Sequence, residues 1–196
     1  MSTLAELVSR KTEGVDGSHD MAHIERVVAN VKRLAAVEGL SPAELRLVTA
    51  AAYVHDLDDR KYGGDDSYSK ARQVLAECGD GLSAAEVEAV VGIVKGVSFT
   101  GEKASLAAGA GAAPTDRLTA CVQDADRLDA IGATGIARCF CFGGARSRPL
   151  SESVAHFHEK LLLLKGMMKT EAGRQEAESR HTVMLAFLEQ LQREWS

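Results

Sequence analysis

The sequence has no window approaching about 18 uninterrupted apolar residues, the length a membrane-spanning helix needs, so no membrane span is expected. Its start, Met1-Ser2-Thr3-Leu4-Ala5-Glu6-Leu7, carries neither the basic residues nor the apolar run of a signal peptide, and the expected location is cytoplasmic. Positive charge is not in excess. The formal net charge is −5, whereas nucleic-acid binders carry a basic patch or stripe, so no nucleic-acid partner is expected and any phosphate must be handled locally by a metal and a few cations. The cysteines Cys78, Cys121, Cys139 and Cys141 include no C-x-x-C pair, and a chain of 196 residues needs no disulfide staple, so they read as buried reduced thiols. Strand-type alternation is nearly absent, and there is no internal repeat.

What is present is helical periodicity. From about Met21 to Val37, the residues His23, Val27, Asn30, Val31 and Leu34 recur on one face, with Arg26 at its margin and Gly39 as the stop. Ser41-Pro42-Ala43-Glu44 is a capping box with proline at the first helical position, opening a helix whose stripe is Leu45, Val48, Ala52 and His55. A helix near Ser67 to Cys78 stops at Gly79, and a second capping box, Ser83 to Glu86, precedes Val87, Val90, Val91 and Val94, with Gly96 as its stop. A further helix runs from about Thr115 to Ile131 with Leu118, Val122 and Ala125 inward. Gly135 and the pair Gly143-Gly144 then punctuate a short helix and loop. Two more helices follow, about Ser153 to Met168 and about Thr170 to Glu194. Residues 97 to 115 are alanine- and glycine-rich, and the stretch at about 99–114 is expected to be a mobile surface loop, not a domain linker. The expected fold is all-α, one helical bundle over residues 1–196, with the helices at about 153–194 packed on the core.

Ligand-type residues fall on or near three of these apolar faces: His23, the pair His55-Asp56, and Asp126, which continues the line of Leu118 and Val122. Adjacent histidine and aspartate side chains point about 100° apart on a helix, so His55 and Asp56 can share one metal only near the helix end or with help from other helices. Standing alone, the pair also reads as a core histidine beside a surface aspartate. An unpaired carboxylate on an apolar face is costly, and a cation removes the cost. Two imidazoles and two carboxylates suit Mn²⁺, Fe²⁺, Co²⁺ or Ni²⁺ better than Ca²⁺ and leave two octahedral positions for water and substrate.

His23 with Arg26-Val27, then His55-Asp56, then Ala125-Asp126-Arg127-Leu128 resembles the H…HD…D pattern of the HD-domain metal-dependent phosphohydrolases. The wider stretches, Ser18 to Val27, Val122 to Gly132 and His156 to Leu161, resemble a subgroup of small bacterial HD hydrolases with nucleoside triphosphate pyrophosphohydrolase-like members, and the resemblance covers about residues 15 to 195. It implies an HD-type bundle and one divalent ion per chain held by His23, His55, Asp56 and Asp126. Mn²⁺ is expected first, with Fe²⁺, Co²⁺, Ni²⁺ or Mg²⁺ as other occupants. Asp124 competes with Asp126, but the family pattern puts the ligand immediately before the basic residue and leucine. The resemblance also implies that Asp59, one helical turn after His55, positions or activates the attacking water; the plainer reading is a solvated carboxylate at a helix end.

The other polar residues carry two readings each. Lys61 and Arg26 either neutralise phosphate charge or are ordinary surface cations. His19 and Asp20 either contact substrate or orient the ligand imidazole. Asp58, Asp65 and Asp129 read as rim residues or as ordinary exposed carboxylates, Lys160 and Lys165 as phosphate contacts or solvated lysines, and His156 as a pocket residue without a metal-type partner at useful spacing. The function implied is a metal-dependent phosphohydrolase acting on a small phosphorylated molecule, a nucleoside or deoxynucleoside triphosphate before others. Nucleoside monophosphatase, alarmone hydrolase and cyclic-nucleotide phosphodiesterase activities stay open because one metal site serves all of them, as do a non-catalytic nucleotide-binding module and a homodimer.

Overall fold

The computed structural model describes residues 2–13, 20–58, 67–79, 81–97 and 115–195, and every regular element among them is helical. In chain order these are α1 (Leu4–Lys11), α2 (Met21–Val37), α3 (Pro42–Val54), α4 (Ser69–Glu77), α5 (Ala84–Val97), α6 (Arg117–Asp129), α7 (Gly132–Ala145), α8 (Leu150–Glu159), a 3₁₀ segment (Leu161–Met167) and α9 (Glu171–Trp195). The expectations for His19, Asp59, Lys61, Asp65 and the stretch at about 99–114 lie outside the described residues. No described helix is long and apolar enough to cross a membrane.

Local chemistry sets the helix starts. Ser41 and Glu44 close a reciprocal cap on α3, Ser83 and Glu86 do the same ahead of α5, and Asp116 accepts the N–H groups of Leu118 and Thr119 at 3.0 Å to open α6. Helices α2, α3, α5 and α6 form the centre, with α2 packed on α3 and α6, and α5 on the same two. Their contact faces are fully buried: Val27 and Val31, Val48 and Ala51, Val90 and Val91, Val122 and Ala125. One continuous core extends from Leu4 to Met184, and at its far end Phe140, Phe157 and Phe187 pack with ring centroids 5.8 to 6.0 Å apart. This packing brings the start of α2 and the ends of α3 and α6 to one place.

Three elements differ from the sequence reading. The capping box of Thr3 and Glu6 opens α1, which the reading above did not assign. Helix α7 runs unbroken through Gly135 and Gly143, because these glycines serve close packing instead of chain reversal: a Cβ at Gly135 would clash with the carbonyl oxygen of Ala130. The helix expected from Ser153 to Met168 breaks at Lys160 (φ −139°, ψ −60°), and Leu161 and Leu164, both buried, then follow the three-residue period of a 3₁₀ turn. Among the cysteines, Cys141 is exposed and the other three are buried, all free.

Candidate metal centre

Asp20 caps α2 by accepting the His23 N–H at 3.0 Å, which fixes the first turn and aims His23 inward, where it is completely buried. His55 is the C-cap of α3, and the chain leaves the helix through a turn at 55–58. Ending the helix there lets consecutive side chains converge. His55 Nε2 lies 3.3 Å from Asp56 Oδ1, and His23 Nε2 lies 3.3 Å from Asp56 Oδ2. From the end of α6, Asp126 Oδ1 stands 3.7 Å from His23 Nε2 and 3.8 Å from His55 Nε2. The ligand atoms of His23, His55 and Asp56 all lie within 4.8 Å of one another, and Asp126 meets them through the two imidazoles.

The histidines are oriented as metal ligands require. His55 Nδ1–H donates to the Ala52 carbonyl at 2.8 Å, which leaves Nε2 as a lone pair; that nitrogen is buried and has no hydrogen-bond partner among the described residues. His23 Nδ1–H donates to Asp129 Oδ2 at 2.8 Å and turns its Nε2 toward Asp56 and Asp126. Burial by itself would lower the pKa of His23, but hydrogen bonds to Asp129 and Asp56 and the charge of Asp56 outweigh it, and the value rises to about 9 against the opposing Arg138. Burial would raise Asp129, yet its bonds from His23 and Arg26 and the nearby Arg138 hold it at about 2. The cluster therefore demands positive charge between its carboxylates. A proton on His23 meets that demand in part, and a divalent cation bound by two imidazoles and two carboxylates meets it in full. The donor set fits the ion.

Asp129 was placed at the rim by the sequence reading and is instead 1% exposed. Its carboxylate also takes Arg26 Nε (2.7 Å), Arg26 Nη2 (3.2 Å) and Arg138 Nη1 (2.9 Å), so it anchors His23 while two guanidinium groups hold it in turn. The spacing of Asp126 and Asp129, three residues apart on one helical face, was the available signal. Asp129→Asn should weaken metal affinity by about 10- to 100-fold, the usual cost of losing a partner that orients a ligand, as read by competition with a chelator. Unchanged affinity would mean that packing of α2 alone orients the imidazole.

The competing carboxylate has other work. Asp124, fully buried, accepts the Lys169 N–H at 3.0 Å and the Thr170 N–H and hydroxyl at 2.7 Å each, so it ties α6 to the start of α9. The approach is close enough that a Cβ at Gly173 would clash with its carboxylate. Asp124→Ala should cost about 3 kcal/mol, or a fall in Tm of about 6–12 °C, with metal content retained. Equal loss of the ion would place Asp124 in the metal centre. Asp58, also expected at the rim, is buried and caps α4 through the N–H groups of Lys70 (3.3 Å) and Ala71 (2.9 Å).

Comparison with known proteins agrees with this geometry. Residues 21–131 match the family model of the HD domain. YpgQ of Bacillus subtilis (strain 168) is 39% identical over 186 residues, covering 90% of this chain and 84% of that protein. The crystal structure of YpgQ in complex with ADP has a TM-score of 0.76 to this chain at 34% identity, covering 97% of this chain and 92% of the other. An HD-superfamily hydrolase from Bacillus thuringiensis has a TM-score of 0.72, also at 34% identity, with 98% and 94% covered. The match spans more than half the chain and includes both histidines and both aspartates brought together above, so the chain belongs to the HD-domain superfamily of metal-dependent phosphohydrolases.

Proposed function

We propose that this protein hydrolyses a nucleoside or deoxynucleoside triphosphate at a single Mn²⁺-type centre held by His23, His55, Asp56 and Asp126. The observation that carries the reading is the convergence of two imidazole nitrogens and two carboxylates from α2, the end of α3 and α6 on one point, with the buried His55 Nε2 turned into it. The nucleotide class draws its support from the small bacterial HD hydrolases that the motifs resemble and from the ADP complex of YpgQ.

A divalent ion in this site supplies Lewis-acid polarisation of a phosphoryl oxygen and acidification of the attacking water. The chain's own groups do the rest. Asp129 keeps His23 in the tautomer whose Nε2 faces the site, and the Ala52 carbonyl does the same for His55. Asp59, three residues after Asp56, receives the proton of the attacking water in this reading, and Lys61 offsets charge on the leaving phosphate. Arg26 is committed to Asp129 through Nε and Nη2, so in this reading it acts on the metal centre by holding the carboxylate that orients His23.

The test is a panel of nucleoside mono-, di- and triphosphates with Mn²⁺, with the products separated. Metal-dependent release of pyrophosphate or phosphate from triphosphates at rates well above those for monophosphates is the expected result. Turnover of monophosphates alone would replace the substrate class, and no metal-dependent release from any nucleotide would remove the reading.

A further inference from the structure

A cavity of about 560 Å³ opens between α2, the start of α7 and α9, on the far side of Asp129 from His23 Nδ1 in the hydrogen-bond chain. Arg26, Arg33 and Arg180 line it together with the carboxylate of Asp129, with Ala29, Ile131 and Val183 as an apolar wall. Three guanidinium groups thus face one cavity in a chain whose formal net charge is −5. Among the described residues, Arg26 is held by the carboxylate of Asp129, while Arg33 and Arg180 share Glu176 Oε1, at 3.8 and 2.8 Å. Arg26 uses Nε and Nη2 on Asp129, and Arg33 uses Nη2 on Asn30 Oδ1, so Nη1 of each remains for a ligand among the described residues. The first turn of α7 adds to this, since Gly132, Ala133 and Thr134 line the same cavity and α7 has no side-chain cap.

We propose that this cavity binds the phosphate group of a small molecule at a site separate from the metal centre, with Arg26 and Arg33 as its charged partners. Guanidinium groups match phosphate oxygens in charge and geometry, and the apolar wall strengthens those bonds by keeping water from one side. The proposal goes beyond hydrolysis and does not depend on it. Because Asp129 joins Arg26 to His23, an anion drawn to Arg26 also reaches the metal centre through one shared carboxylate.

The experiment is calorimetric titration of the full-length, metal-loaded protein with inorganic phosphate, in the wild type and in two surface variants. Arg33→Ala removes a guanidinium whose side chain is 59% exposed, so folding is not at stake. Ala133→Asp puts a carboxylate in the exposed first turn of α7, where the helix dipole favours it but a bound phosphate would be repelled, so Tm should hold while phosphate is lost. Each variant should weaken phosphate binding by about 10-fold or more, and Arg33→Lys should restore part of it. His55→Ala and, independently, Asp126→Asn should leave this component in place. Isotherms unaltered by Arg33→Ala and Ala133→Asp, or binding abolished in both metal-centre variants, would overturn the proposal. A protein that binds phosphate in this way yet turns over no nucleotide would retain the site while losing the hydrolytic reading.

Discussion

Asp126→Asn should release most of the bound metal and lower turnover by on the order of 10³-fold, the effect of forfeiting several kcal/mol of charge stabilisation at a phosphoryl centre. The substitution swaps a charged oxygen for a weak neutral ligand at a position 3.7 and 3.8 Å from the two imidazole nitrogens. Asp56 and both histidines stay in place, so excess Mn²⁺ should recover part of the activity. His55→Ala should be less recoverable, since it deletes outright one of the two imidazole donors, whose Nε2 has no hydrogen-bond partner among the described residues. Metal content by elemental analysis, with Michaelis parameters at several Mn²⁺ concentrations, gives the comparison. Full occupancy retained in both variants would remove the centre built from α2, α3 and α6.

Much of the geometry behind that prediction was legible in the sequence because the same residues that carry the chemistry carry the periodicity. His23 and Asp126 continue apolar lines along their helices, and a ligand on a buried face can be placed by counting. The capping boxes at Ser41 and Ser83 located two helix starts for an equally local reason. What could not be read was tertiary. Nothing in the spacing says that Asp124 caps the start of α9, 45 and 46 residues away, while Asp126, two positions on, meets the imidazoles. Asp58 and Asp129 looked like rim residues because an aspartate is exposed by default, and only the chain folding back to supply Lys70 and Ala71, or Arg26 and Arg138, buries them. The glycines of α7 were read as breaks for a similar reason: the contact that requires Gly135, the Ala130 carbonyl, is visible only once the preceding turn is formed.

The last expected result concerns Asp59, which the motif resemblance assigns to the attacking water and which lies just beyond the buried anchor Asp58. Asp58, two positions after Asp56, is held against the start of α4 by the N–H groups of Lys70 and Ala71. Asp59→Asn should keep the metal, because the four proposed ligands are untouched, and should lose about 10²- to 10⁴-fold in turnover, the range for general acid-base assistance. An amide of nearly the same size cannot accept the water's proton. Substrate affinity should survive, since the ion and the proposed Lys61 contact both remain. Metal content, Michaelis parameters and a binding isotherm measured on one preparation separate the alternatives. Wild-type turnover in Asp59→Asn would show that the water is activated without this carboxylate. Loss of the ion would instead make Asp59 a ligand, and the set built on His23, His55, Asp56 and Asp126 would then have to admit a third carboxylate.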